Sequence, residues 1–307
     1  MEFSQALESG NIDEIRKISK SDLHNHSARG GNLKYISHWA GAEIKPANYI
    51  FRDLHNMQEW YEQNVKCYCK GIEGYEVRIK AAFRQAKDDG VKRLQLSFGF
   101  GEEQPYGNLR EFANRINAIH NEIAPEIDFI PEIAFGKDFY SDDVLEKAEE
   151  YFEYGFYKSL DINGTEGLQP IKEFKNLYRL AKSCGLKLRA HIGEFGSADS
   201  IMEAVETLEL DEVNHGNQAV HNKQIMRWLA DHKIILNLCP ASNMKLGIVK
   251  DLKSHPIKQL YDAGIKVTIN TDDMLIFDVG LSEMYYQFFN DHVFTTRELD
   301  EIRVNGL

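Results

Sequence analysis

The segment SDLHNHSARGG (residues 21–31) places two imidazoles, His24 and His26, two positions apart, ahead of a loop that closes on two glycines. Further along, HIGE (191–194) joins His191 to Glu194, VNHG (213–216) carries His215, and INTDD (269–273) ends in Asp272-Asp273. Each has an ordinary reading when taken alone. A lone His-x-His is usually surface decoration, an Asp-Asp pair a helix cap or turn, and a histidine near a glutamate a satisfied polar contact. In combination they are a donor set. Three imidazole nitrogens and one carboxylate oxygen suit Zn²⁺, with a coordination position left for water. That reading holds only if the intervening elements bring these residues to one place.

Eight apolar, often β-branched runs are expected as strands: 21–26, 91–100, 126–135, 155–164, 186–194, 211–216, 233–242 and 265–273. Segments with helical periodicity separate them, among them NLREFANRINAIHNEI, DDVLEKAEEYFEYG, LQPIKEFKNLYRLAKSCG and SIMEAVETLEL. Cys184-Gly185 and Ala263-Gly264 read as helix ends with a glycine just before the next strand. Alternation of this kind predicts an α/β fold, and a count of eight in 307 residues favours a (β/α)8 TIM barrel over an open sheet.

In such a barrel His24 and His26 end the first strand, His191 the fifth, His215 the sixth and Asp272-Asp273 the eighth. All would then gather at the C-terminal mouth, where barrels carry their chemistry. Residues two apart on a strand face the same way, so His24 and His26 can address one ion. Buried imidazoles and carboxylates without partners are costly, which is the physical reason to expect a ligand between them. The whole chain, 1–307, reads as one barrel domain with a helical insertion at about 33–90, too long for a plain crossover and rich in Trp, Tyr and His. Over the mouth it would exclude water; elsewhere it would be extra packing.

Apolar residues are 43% and charged residues 27% of the chain, an ordinary balance for a soluble domain. The formal charge, 36 − 48 = −12, argues against a nucleic-acid or anionic-membrane partner, either of which needs clustered Lys and Arg. No apolar run approaches the ~18 residues of a membrane span, and the N-terminal MEFSQALESGNIDEIRK lacks a secretory core. The four cysteines show no paired CxxC spacing, and Cys67-Tyr-Cys69 lacks a second pair with which to hold a metal. A reducing cytoplasm is the expected setting.

DLHNH (22–26), SLDINGTEG (159–167), HIGE (191–194), VNHG (213–216), LCPASN (238–243) and INTDD (269–273) occur in one order along the chain. In these motifs the sequence resembles the adenosine deaminase family of the amidohydrolase superfamily. The resemblance implies one Zn²⁺ per chain, held by His24, His26, His191 and Asp272. The ion would lower the pKa of its water from ~15.7 towards neutrality and so generate a hydroxide nucleophile. It further implies that His215 orients or deprotonates this water, with Asp272 also holding it. Glu194 would meet the purine N1 as a protonated acid, Asp273 would engage N7, and the backbone amide of Gly164 would meet N3. Attack at C6 would release ammonia, so the implied partner is a small-molecule aminopurine of purine metabolism.

The match departs at one informative place. Where the family has Leu-Asp-Gly after the histidine pair, its Asp contacting ribose, this chain has Ser27-Ala28-Arg29-Gly30, and Ala28 holds the carboxylate position. Arg29 is a planar cation suited to a phosphate or carboxylate. The expected substrate is therefore an aminopurine with a different N9 substituent, a nucleotide among the candidates. Met274 stands where the family has proline, and the chain stops at VNGL where relatives often carry another short helical stretch.

The same residues bear on two rival functions. A binuclear amidohydrolase acting on cyclic amides or esters often needs a bridging lysine at the end of the fourth strand, which Lys158 precedes. A non-catalytic purine-binding barrel would lack a ligand or the acid, and none is missing. His38, His55, His120, His221, His232, His255 and His292 match no motif and are read as structural.

Overall fold

A computed structural model describes residues 2–307. Eight strands run in chain order: β1 (Lys20–His26), β2 (Val91–Gly99), β3 (Asp128–Gly136), β4 (Ser159–Asn163), β5 (Lys187–Ile192), β6 (Glu212–His215), β7 (Ile235–Leu238) and β8 (Val267–Ile269). Each pairs in parallel with the next. The sheet then turns back on itself. Asn25 bridges to Asp272, the Asp272 amide donates to the His24 carbonyl at 2.9 Å, and the Leu23 amide donates to Asn270 Oδ1 at 2.8 Å. The result is a nearly closed barrel with helices between its strands, as the alternation predicted.

Several strands in the second half are shorter than expected, each for a local reason. The run 155–164 begins with Gly155 at φ 76°, and pairing starts only at Ser159. The run 233–242 ends at Leu238 because Pro240, preset for a first helical turn, opens the helix Pro240–Lys245. The run 265–273 leaves the ladder after Ile269, and Asp272 adopts a left-handed backbone (φ 58°). Gly185 (φ 79°) and Gly264 (φ 84°) follow helix ends as anticipated.

The two faces of the sheet differ in chemistry. Outward positions are apolar and packed under helices; Phe98 of β2, for example, meets Phe112 of the helix Leu109–Ile123 at 5.6 Å between ring centres. Inward positions carry a polar layer in place of the usual branched aliphatic filling. Arg189, fully buried, lies 2.8 Å from Glu132, 3.1 Å from Glu212 and 2.7 Å from Asn214. Gln95 and Ser159 join Glu132, and Asn237 joins Glu212. A buried cation remains tolerable only because its donors meet carboxylates and an amide carbonyl.

Between β1 and β2 lie the helices Leu33–Ala40, Leu54–Tyr61 and Gly71–Asp88, the second continued by a wider turn over Glu62–Lys66. The last of them packs on β2 and on the helix Leu109–Ile123, as a crossover helix does. The helix Leu54–Tyr61, capped by Asp53 accepting the Asn56 amide at 2.7 Å, lies at the barrel mouth. No helix among the described residues is long and apolar enough to cross a membrane.

Candidate active site

At the C-terminal ends of the strands the residues of the separate motifs meet. His24 and His26, at the end of β1, point to Asp272 Oδ1, with Nε2 atoms 3.8 and 3.3 Å away. The His24 ring centre is 4.6 Å from that of His191 and 4.8 Å from that of His215. Ligand atoms of His24, His26 and His191 lie within 4.8 Å of one another, as do those of His24, His215, Cys239 and Asp272, and those of His26, Asp272 and Asp273. Sequences 248 residues apart, 24 and 272, are neighbours because β8 closes against β1.

The backbone is shaped to this end. Asp272 (φ 58°) and His215 (φ 67°) are both buried in left-handed conformations, which are rare for residues with a Cβ and are retained where the surroundings enforce them. His24 Nε2 and His215 Nδ1 are buried without a hydrogen-bond partner. His24 Nε2 faces Asp272 Oδ1 at 3.8 Å, so a nitrogen lone pair and a carboxylate oxygen are both available to a cation between them.

The electrostatics agree. Burial, with the neighbouring imidazole of His191, holds His24 well below its usual range; burial and His26 do the same for His191; and burial and His191 lower His215 to about 3. These rings are neutral, the form that binds metal or accepts a proton. For His26 burial opposes charge, yet Asp273 and Asp272 overcome it and raise its pKa to about 9. Burial also opposes ionisation of Asp272, but hydrogen bonding to His26 and the adjacent rings keep it below the carboxylate range. The cluster thus holds carboxylates that draw positive charge, here onto His26, beside three neutral rings.

Glu194 is the opposite case. Burial, then repulsion from Asp272 and Glu166, push its carboxyl well above the usual range, and its Oε2 lies 3.7 Å from His215 Nε2. A carboxyl in this environment is a proton donor near neutrality.

Three supporting residues had no role assigned from sequence. The Asp161 carboxylate of β4 accepts a hydrogen bond from His191 Nδ1 at 2.6 Å, which fixes the ring and leaves Nε2 for the cluster. Glu166 accepts the backbone N–H groups of Gly193, Glu194 and Phe195, each at 2.8 Å, and so clamps the loop that carries Glu194. The buried Lys137 ammonium donates to the His191 carbonyl at 2.7 Å. Asp161 and Glu166 stand inside SLDINGTEG, so their motif was visible although their function was not. Cys239, inside LCPASN, is a further addition: its fully buried thiol, raised well above its usual range by burial, sits among His24, His215 and Asp272.

A cavity of about 560 Å³ opens above the cluster, lined by His26, His191, His215, Glu194, Asp272, Asp273, Gly164, Ala28, Arg29 and the helix residues Leu54, His55, Met57 and Gln58, among others. His55, read from sequence as structural, therefore borders it. Arg29 and Asp273, both considered for substrate contact, meet each other: Arg29 Nη1 is 3.1 Å from Asp273 Oδ2, Nη2 donates to Gln58 Oε1 at 2.7 Å, and the guanidinium lies 4.7 Å over the Tyr61 ring. Cys67 is exposed and Cys69 buried, and neither joins a metal-holding group among the described residues.

The family model described as adenosine deaminase matches residues 136–307, which hold five of the six motifs. A curated relative from Treponema pallidum (strain Nichols), named putative adenosine/adenine deaminase, is 30% identical over 276 residues, 90% of this chain and 92% of that one. The chain belongs to the adenosine deaminase family. Its fold is shared by solved structures. The adenine deaminase from Arthrobacter aurescens superposes with a TM-score of 0.79 at 22% identity, covering 94% of this chain and 92% of the other. A Burkholderia ambifaria amidohydrolase with bound Zn gives 0.79 at 20% identity, covering 100% and 88%.

Proposed function

We propose that the protein is a zinc-dependent hydrolase that converts a 6-aminopurine and water to the 6-oxopurine and ammonia. The observation that carries this reading is the meeting, at and beneath one cavity of an adenosine deaminase family barrel, of four imidazoles and Asp272 with a carboxyl, Glu194, poised to be protonated. His24, His26, His191 and Asp272 would hold a single Zn²⁺ per chain. The orphaned His24 Nε2, the Nε2 of His191 freed by Asp161, and the neutral rings fit a borderline-soft divalent ion. When bound, zinc supplies Lewis-acid chemistry that makes water nucleophilic at neutral pH.

The chain's own groups account for the rest. Glu194 donates its proton to N1, drawing electron density from C6 so that oxygen can add there. His215, neutral and 3.7 Å from Glu194, is placed to accept a proton from the attacking water and to steady the charge that develops. The Gly164 amide meets N3 and Asp273 meets N7, which fixes the ring. The helix Leu54–Tyr61 covers the mouth and limits water. Residues 1–307 act as one barrel unit with this cover, on a small-molecule partner in the cytoplasm. The binuclear alternative lacks its bridge: Lys158 precedes β4, is exposed and donates to the Gly155 carbonyl.

The test is to load purified protein with zinc, offer adenine, adenosine, AMP and N6-methylated analogues, and measure ammonia and bound metal. One ion per chain and release from at least one purine are expected; two ions, or no release from any purine, would overturn the reading. Glu194→Gln should retain the metal and lose on the order of 10²–10⁴ in kcat; undiminished turnover would remove Glu194 as the acid.

A further inference from the structure

The substrate's N9 end faces an arc of the cavity to which no role has yet been given. In the proposed pose, which this inference rests on, N1 faces Glu194 after β5, N3 faces Gly164 after β4, and N7 faces Asp273 after β8. On a purine N9 lies between the N3 and N7 edges and away from C6. Its substituent must therefore leave across the loops that follow β1, β2 and β3.

Ala28 and Arg29 after β1, Glu102 after β2 and Asp138 after β3 line the cavity along that arc. Glu102 is half-buried and directed: the Tyr75 hydroxyl donates to its Oε2 at 2.6 Å. Burial pushes its carboxyl above the usual range, while Tyr75, the Gly99 backbone, Arg78 and Arg29 oppose that. Asp138 is beside the N3 position, since a Cβ built on Gly164 would lie 3.4 Å from its Oδ2.

Against these two carboxylates Arg29 is the one Lys or Arg among the described lining residues, and it is already engaged by Asp273, Gln58 and the Tyr61 ring. Releasing it to meet a phosphate would strip Asp273 of its partner, although Asp273 Oδ1 is already buried and unpaired. The arc therefore offers acceptors and lacks a free cation. A phosphate dianion entering it would meet two carboxyl groups, the half-buried Glu102 and the exposed Asp138, with no free cation to offset its charge. A neutral donor would be welcomed.

We propose that Glu102 and Asp138 form an acidic rim that selects an aminopurine with an uncharged, donor-bearing N9 end and rejects a 5′-phosphorylated one. The rim supplies from β2 and β3 the carboxylate that Ala28 does not supply from β1. The shared chemistry is an N–H or O–H donor, found either on N9 of the free base or on a sugar.

The experiment compares kcat/KM for adenine, adenosine and AMP on zinc-loaded protein, wild type, Glu102→Gln, and Glu102→Gln with Asp138→Asn. Both substitutions keep side-chain shape. Wild type should favour the better of adenine and adenosine over AMP by at least about 100-fold, and the double variant should shrink that ratio at least about tenfold. The faster of the two uncharged substrates identifies the donor. AMP turned over as well as either, or a ratio unmoved by the double variant, would overturn the rim.

Calorimetric binding of hypoxanthine, inosine and IMP separates this idea from the reaction it rests on. Preference for the uncharged ligands without any ammonia release would leave the rim standing and sink the deaminase reading. Ammonia release with IMP bound as tightly as inosine would do the reverse.

Discussion

Replacing Glu166 with glutamine perturbs the active site while leaving every proposed ligand and the proposed acid in place in the sequence. Its carboxylate accepts three consecutive backbone N–H groups at 2.8 Å, from Gly193 to Oε2 and from Glu194 and Phe195 to Oε1. Glutamine keeps one carbonyl oxygen but turns an NH₂ towards the other donors, so at least one bond is lost and the rest lose their charge assistance. A hydrogen bond to a charged acceptor is worth about 1.5–3 kcal/mol when buried. Phe195 is exposed and Glu166 only half-buried, so about 1 kcal/mol per bond is the better figure, or about 3 kcal/mol for the set. At about 1.4 kcal/mol per tenfold, loss of the whole clamp sets a ceiling of about 100-fold on the fall in kcat, and 10- to 100-fold is expected. Zinc affinity should be retained, because His191 is held separately by Asp161 and by the Lys137 ammonium on its carbonyl. Steady-state kinetics and a chelator competition on the same preparation read the two effects. A kcat within twofold of wild type would show that the loop keeps Glu194 in place without the clamp; a matching loss of zinc would show that Glu166 acts on the ligands instead.

Further outcomes follow from other contacts. Asp161→Asn removes the anion behind His191 and should weaken zinc about 10- to 100-fold, read by competition with a chelator; unchanged affinity would refute the orienting role. Gly193→Ala should cost about 2–4 kcal/mol in a denaturant melt, since Gly193 sits at φ +69° and an added Cβ would come within 2.4 Å of Ile201; an unmoved midpoint counts against that packing. His255 makes stability pH-dependent: its Nε2–H donates to Asn243 at 2.9 Å, its Nδ1 accepts from the Ile257 amide at 3.1 Å, and burial lowers its pKa from 6.5 to about 3. The unfolded chain therefore binds the proton first, so the contribution is complete above pH 6.5 and is lost as pH falls from 6.5 towards 3. At pH 5 the loss is about 2 kcal/mol, and urea melts of His255→Gln should lack it relative to wild type between pH 7.5 and 5; parallel pH profiles would disprove the assignment.

The sequence alone determined the alternation, the barrel, and the strand ends that carry His24, His26, His191, His215 and Asp272-Asp273. Those features are local: hydropathy period, glycine at helix ends, and two-residue spacing on a strand are legible from neighbours in the chain. What lay beyond it depended on register and side-chain direction. That Asp161 stands behind His191, that Glu166 clamps the next three amides, and that Cys239 enters the cluster are contacts between strands whose relative shift no local pattern encodes. Arg29 shows the limit most plainly. As a lone cation in a loop it invited an anionic substrate, but closure of β8 on β1 brings Asp273, 244 residues away, within 3.1 Å and gives the charge an internal partner. Glu102 and Asp138, unremarkable in their own loops, come to line the same cavity for the same reason: parallel strands wound in order deliver the loops after β2 and β3 to the same mouth.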